Sequence, residues 1–155
     1  MASPVASSLA ARLASCGPVI DARAAERTLG ALRAEAAAKG WDLSLSMATA
    51  ALTPVFSASP YLSALARRDP AMLGRILSDD PAARLSAVLS ATAAVGGDGL
   101  EAGKAALRRL KGELHLLTAL CDLGGVWDLD KVTGALARFA DVSLAAALRL
   151  SVASE

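Results

Sequence analysis

Ser59-Pro60-Tyr61-Leu62-Ser63-Ala64-Leu65-Ala66-Arg67-Arg68-Asp69-Pro70-Ala71-Met72-Leu73-Gly74-Arg75-Ile76-Leu77-Ser78-Asp79-Asp80-Pro81 is the stretch that decides how this chain folds. Three times within it a side-chain oxygen acceptor stands directly before a proline: Ser59-Pro60, Asp69-Pro70 and Asp80-Pro81. Serine and aspartate cap helix starts by accepting a hydrogen bond from an otherwise unpaired backbone N–H. Proline is tolerated at the first helical position, where its missing N–H has no partner to lose. The pattern predicts three helices, near 60–68, 70–78 and 81–95, the first two short and turning sharply into one another.

Upstream, Ala22, Ala25, Leu29, Leu32 and Ala36 recur at three- and four-residue steps and predict an amphipathic helix over 21–39. Asp21 is placed to cap it, Gly40 to end it, and Glu35 with Lys39 to add an i,i+4 ion pair. A weaker helix is expected over 44–52, stopped by Pro54. Downstream, Gly96-Gly97-Asp98-Gly99 reads as a helix-ending linker, because it lacks the Lys-Ser/Thr that completes a phosphate loop. A long helix is expected over 100–123, with Leu107, Leu110, Leu114, Leu117 and Cys121 as its apolar stripe, widened by Leu116 and Leu120. Gly124-Gly125 ends it. Asp128 then caps a helix over 129–150, expected to bury Leu129, Val132, Leu136, Phe139, Ala140, Leu144 and Leu148, with frayed residues after it. No fixed-period repeat emerges. Ala (37) and Leu (26) dominate the 155 residues, and both favour helix. The expectation is an all-α, multi-helix bundle of about seven helices with an irregular run of short, proline-initiated ones.

Bulk properties narrow the function classes. Sixteen basic against fifteen acidic side chains leave a net charge of +1, which argues against a nucleic-acid binder with its concentrated basic face. Cys16 and Cys121 form no C-x-x-C, and His115 is the only histidine, so neither a disulfide framework nor a His-based metal site is indicated. The uncharged stretch from Leu43 to Ala66 contains Pro54, Pro60 and seven Ser or Thr residues, a poor composition for a membrane span. Leu13-Ala14-Ser15-Cys16 has the outline of a lipoprotein cleavage box, but Arg12 interrupts the apolar run such a leader needs. The segment reads instead as a polar-faced, Ala-rich helix, and the expected location is cytoplasmic.

Two constellations could carry chemistry. Asp128-Leu129-Asp130 has the D-x-D spacing that on a strand points two carboxylates at shared metal ions. Here it opens a helix, where residues two apart do not face each other; Asp128 reads as the cap and Asp130 as an acid favoured by the helix dipole. Arg108, Lys111, His115, Thr118 and Asp122 form a polar stripe. His115 and Asp122 are seven residues apart, about 10 Å along a helix, too far to act as a hydrogen-bonded pair. The stripe therefore reads as a solvated or domain-facing surface. Cys121 lies on the leucine stripe, which implies a buried thiol. Tyr61, Trp41 and Trp127 are too dispersed for a base-stacking platform. No residue is assigned as catalytic, cofactor-binding or metal-ligating.

An ordered set of short motifs adds a resemblance. It comprises Ser59-Pro60-Tyr61-Leu62, Arg68-Asp69-Pro70, Leu107-Arg108-Arg109-Leu110-Lys111, Ala119-Leu120-Cys121-Asp122-Leu123-Gly124-Gly125-Val126-Trp127, Val132-Thr133-Gly134-Ala135-Leu136 and Phe139-Ala140-Asp141. In this order and spacing the set resembles the N-terminal region of the glutamate–ammonia-ligase adenylyltransferases, over about residues 56–150. The first fifty residues match only in general character. Arginine (12) exceeds lysine (4), which with the alanine excess suggests a GC-rich bacterial genome.

The resemblance implies a bifunctional parent that attaches AMP to, and removes it from, a tyrosine of glutamine synthetase. Such parents use ATP and Mg²⁺, answer to a PII signalling protein, and carry two nucleotidyltransferase domains, each with a Gly-Ser turn followed by D-x-D on a strand. The resemblance places the first such motif beyond residue 155. It thus implies a variable helical segment over 1–55, then a helical lead-in over 56–155 to a nucleotidyltransferase domain that this chain lacks. Under that reading the chain is a non-catalytic scaffold of the adenylyl-removing half, whose whole parent is an enzyme. Under the alternative it is a standalone helical interaction module.

Overall fold

The computed structural model describes residues 7–97 and 99–153, so Asp98 of the glycine linker and the last two residues lie outside the described part. Among the described residues there are eight helices and no strand. They are α1 (Leu9–Arg12), α2 (Ala22–Lys39), α3 (Asp42–Ala58), α4 (Pro60–Arg68), α5 (Pro70–Ser78), α6 (Pro81–Ala93), α7 (Leu100–Leu123) and α8 (Leu129–Val152).

The three proline starts behave as their chemistry requires. Ser59 accepts from the Leu62 N–H at 3.2 Å, Asp69 from Met72 at 3.0 Å and Asp80 from Ala83 at 3.0 Å. Asp21 caps α2 through the Ala24 N–H at 2.9 Å. Gly40 ends that helix at φ 78°, and the N–H groups of Gly40 and Trp41 both reach the Ala36 carbonyl. That closure needs a left-handed residue, which glycine supplies without a Cβ clash.

Four details depart from the sequence reading. The helix expected to stop before Pro54 runs through it, as α3. An internal proline costs about 3 kcal/mol, but Leu52, Val55 and Phe56 around it are buried, each gaining roughly 1.5–3 kcal/mol by leaving water. Core packing therefore carries the helix on to Ala58. On α2 the ion pair formed is Glu26–Arg33, two turns apart, and Glu35–Lys39 is not among the ion pairs of the described residues. Near the N-terminus, α1 ends at Arg12; Leu13 to Cys16 is irregular and Cys16 is exposed. Finally, α8 extends to Val152, past the expected fray point.

The largest correction is the face that α8 buries. Its core residues are Val132, Ala135, Phe139, Ala146 and Leu150. Leu129 is 72% exposed, Leu144 61% and Leu148 58%, while Leu136 and Ala140 also face out. The helix carries two apolar stripes, and α6 and α7 pack on the one that contains its small residues. Ala135 and Ala146 let the backbones approach, and the Leu150 methyls lie over Gly103 of α7.

The helices pack in two groups with a bridge between them. Helices α2 and α3 form one pair, and α6, α7 and α8 pack pairwise on one another. Helices α4 and α5 lie between, touching α2 and α3 on one side and α7 on the other. Helix α1 rests on α3 and α5, tied by the Leu9 N–H to the Asp79 carbonyl at 2.9 Å. One apolar core runs through all of them, from Leu9 to Phe139. Residues 100–123 supply its centre, with Leu114, Leu116, Leu117, Leu120 and Cys121 buried.

Candidate functional site

Helix α7 gathers most of the side-chain chemistry. Its inner face holds Glu113, only 4% exposed. Arg84 of α6 approaches it with Nε 3.5 Å from Oε1, and Arg75 of α5 with a guanidinium nitrogen 3.7 Å from Oε2. Arg84 also meets Asp79 at 3.1 Å. The Arg84 Nε and Glu113 Oε1 atoms are buried without an aligned hydrogen bond, so this is charge pairing rather than a bidentate clasp. Sequence reasoning missed this centre. Glu113 stands three, four and seven residues from Leu116, Leu117 and Leu120 and three from Leu110. That places it on the apolar face, and this spacing is the signal that could have found it.

The polar stripe is only partly a stripe. Arg108, Lys111 and Asp122 are exposed. Thr118 is buried, and its hydroxyl donates back to the Leu114 carbonyl at 2.8 Å. His115 is half-buried and hydrogen-bonded through Nδ1 to the Tyr61 hydroxyl at 2.8 Å. Burial first, and the Lys111 charge second, lower the His115 pKa from its ordinary value. The structure thus couples His115 to α4 rather than to Asp122. Tyr61, set aside as isolated in the sequence, acquires its partner only through tertiary packing.

The remaining candidates resolve into structural roles. Asp128 accepts from the Lys131 N–H at 2.8 Å, which caps α8. Asp130 sits in the first turn of that helix. Burial pushes the Cys121 thiol up to about 12, far from the reactive thiolate range. Trp127 is buried under Lys131, whose Nζ lies 5.4 Å from the ring centroid. Among the described residues no group of three or more His, Cys, Asp or Glu side chains is placed to hold a metal ion. No described helix is long and apolar enough to cross a membrane.

The class that the fold defines is an all-α helical bundle. The chain belongs to the glutamate-ammonia ligase adenylyltransferase family, whose model matches residues 49–155. It is 54% identical over 151 residues to the bifunctional glutamine synthetase adenylyltransferase/adenylyl-removing enzyme of Caulobacter vibrioides, covering 96% of this chain and 15% of that protein. The similarly described protein of Xanthobacter autotrophicus is 48% identical over 91 residues, 58% of this chain and 9% of its own length. That of Rhodopseudomonas palustris is 43% identical over 107 residues, 68% of this chain and 11% of its own. The chain therefore spans no more than about 15% of the length of these relatives. No solved structure matches it significantly.

Proposed function

We propose that this chain is a helical scaffold of the adenylyl-removing half of a glutamine synthetase adenylyltransferase/adenylyl-removing enzyme. The observation that carries the reading is 54% identity along nearly the whole chain to a relative so described, of which it covers 15%. Its role is to support a nucleotidyltransferase core and to contact glutamine synthetase, in the cytoplasm. ATP, Mg²⁺ and control by a PII protein belong to the parent enzyme. The use of Asp128 as a helix cap supports a scaffold role for this segment, since a carboxylate held by a backbone N–H at 2.8 Å is turned toward its own helix.

The test is direct. The purified chain, incubated with adenylylated glutamine synthetase and orthophosphate, is expected to release no ADP, while a full-length relative does so. Turnover by the chain alone overturns the scaffold reading. A second reading, a standalone interaction module, is favoured by the exposed Leu129, Leu136, Leu144 and Leu148 of α8, because apolar patches of that kind mark contact surfaces. A well-behaved monomer in sedimentation, with no partner engaging α8, argues against it.

A further inference from the structure

Two grooves flank the N-terminal half of α7, and one arginine borders both. The first, about 420 Å³, runs between α7 and the α4–α5 corner; Leu65, Met72, Ala105 and Gly112 line it together with Arg68, Asp69, Arg108 and Arg109. The second, about 370 Å³, runs between α7 and α8, where Leu107, Phe139, Leu144 and Ala147 are bordered by Arg108 and Lys111. Asp69 is the only carboxylate lining either groove, and it is engaged as the cap of α5. Arg68, Arg108, Arg109 and Lys111 are all exposed, and none is among the ion pairs within 4.0 Å of the described residues. In a chain of net charge +1 this is a local concentration of cations beside apolar floors, with the Glu101 carboxylate within electrostatic reach of Arg108.

We propose that this surface docks an acidic amphipathic segment of a partner protein, with apolar side chains seated in the two grooves and carboxylates on the α7 ridge between them. Guanidinium groups match carboxylates in a planar, two-pronged geometry. An amphipathic helix laid in a groove is a recurring way to cover apolar floor and charged rim together. A small anion satisfies the arginines but leaves the exposed Leu144 uncovered, beside Leu65 and Met72, which the core itself already buries. The inference stands apart from the scaffold reading, since it rests on the grooves and their charges alone.

The test uses the whole chain and a short labelled peptide of leucine and glutamate at helical spacing, followed by fluorescence anisotropy. Saturable binding that weakens with salt is expected, together with no binding of the leucine–lysine counterpart. R108E/R109E is expected to weaken binding by about tenfold or more, a loss of roughly 1.4 kcal/mol. R23E/R27E on α2 makes the same change in net charge at exposed positions and is expected to leave affinity within about twofold, below roughly 0.4 kcal/mol. L144S is expected to weaken binding severalfold without lowering the unfolding midpoint. Four results overturn the proposal: no saturable binding, equal loss with both charge variants, equally tight binding of polyglutamate without leucine, or displacement of the peptide by an equal concentration of tripolyphosphate. A dimer in sedimentation that R108E/R109E dissociates overturns it too, by making a second copy the occupant.

Discussion

Glu113 is the residue whose environment departs furthest from its sequence neighbourhood. A carboxylate in the core is tolerated only with compensating charge, and Arg75 and Arg84 provide it from two other helices. Glu113→Gln removes that charge and leaves Arg84 with Asp79 as its remaining partner. The expected cost is about 2 kcal/mol, less than breaking an isolated buried pair, measured by urea unfolding. The surface pair Glu26–Arg33 gives the contrast, because exposed pairs contribute little: Arg33→Gln is expected to leave the midpoint unchanged. His115 yields a pH prediction. Its folded-state pKa is lowered, by burial and then by Lys111, so the folded protein binds this proton less readily than the unfolded chain. The stability it contributes is complete above the unfolded value of about 6.5 and is lost as pH falls toward the folded value. As the only histidine, it is directly followed by NMR. Its titration midpoint is expected below 6.5, and His115→Gln should flatten the pH dependence of stability in that range; a midpoint at or above the ordinary value contradicts the burial account.

At the scale of elements, most helix starts were legible because capping is local. A Ser or Asp before a proline presents its oxygen to N–H groups two or three residues on, whatever the remainder of the chain does. The run of α3 through Pro54 was not legible, because the sequence rule gives the cost of the proline and not the burial of Phe56 that offsets it. The buried face of α8 was not legible either. Both of its stripes are apolar, and packing chose the one with alanines for close approach over the one with more leucines. Gly74 in α5 makes the same point in reverse. A Cβ there would lie 2.9–3.0 Å from the Trp41 ring, so α5 sits against the indole at glycine-only distance. Gly74→Ala, which helix propensity alone would favour by about 1 kcal/mol, is expected to destabilise the fold by roughly 1–3 kcal/mol through overpacking. A higher unfolding midpoint for this variant shows that Trp41 yields easily.

Across the whole molecule, one core joins the first described helix to the last. Leu9 belongs to a four-residue helix with little stability of its own, yet it is completely buried. Leu9→Ala is expected to cost about 2–5 kcal/mol and to lower the far- and near-ultraviolet circular dichroism transitions together. If α1 alone frays and the rest melts as before, the N-terminal helix is an appendage rather than part of the core. What the sequence determined by itself was what depends on neighbours in the chain: helical class, the capped and proline-initiated starts, the leucine face of α7 and the reading of Asp128 as a cap. Neighbours in space made the other decisions. Those decisions are the charges gathered at Glu113, the Tyr61–His115 bond, the stripe of α8 left facing out and the grooves beside Arg108. The division has one physical cause: a hydrogen bond within a helical turn is encoded within four residues, whereas burial depends on which helices arrive from elsewhere in the chain.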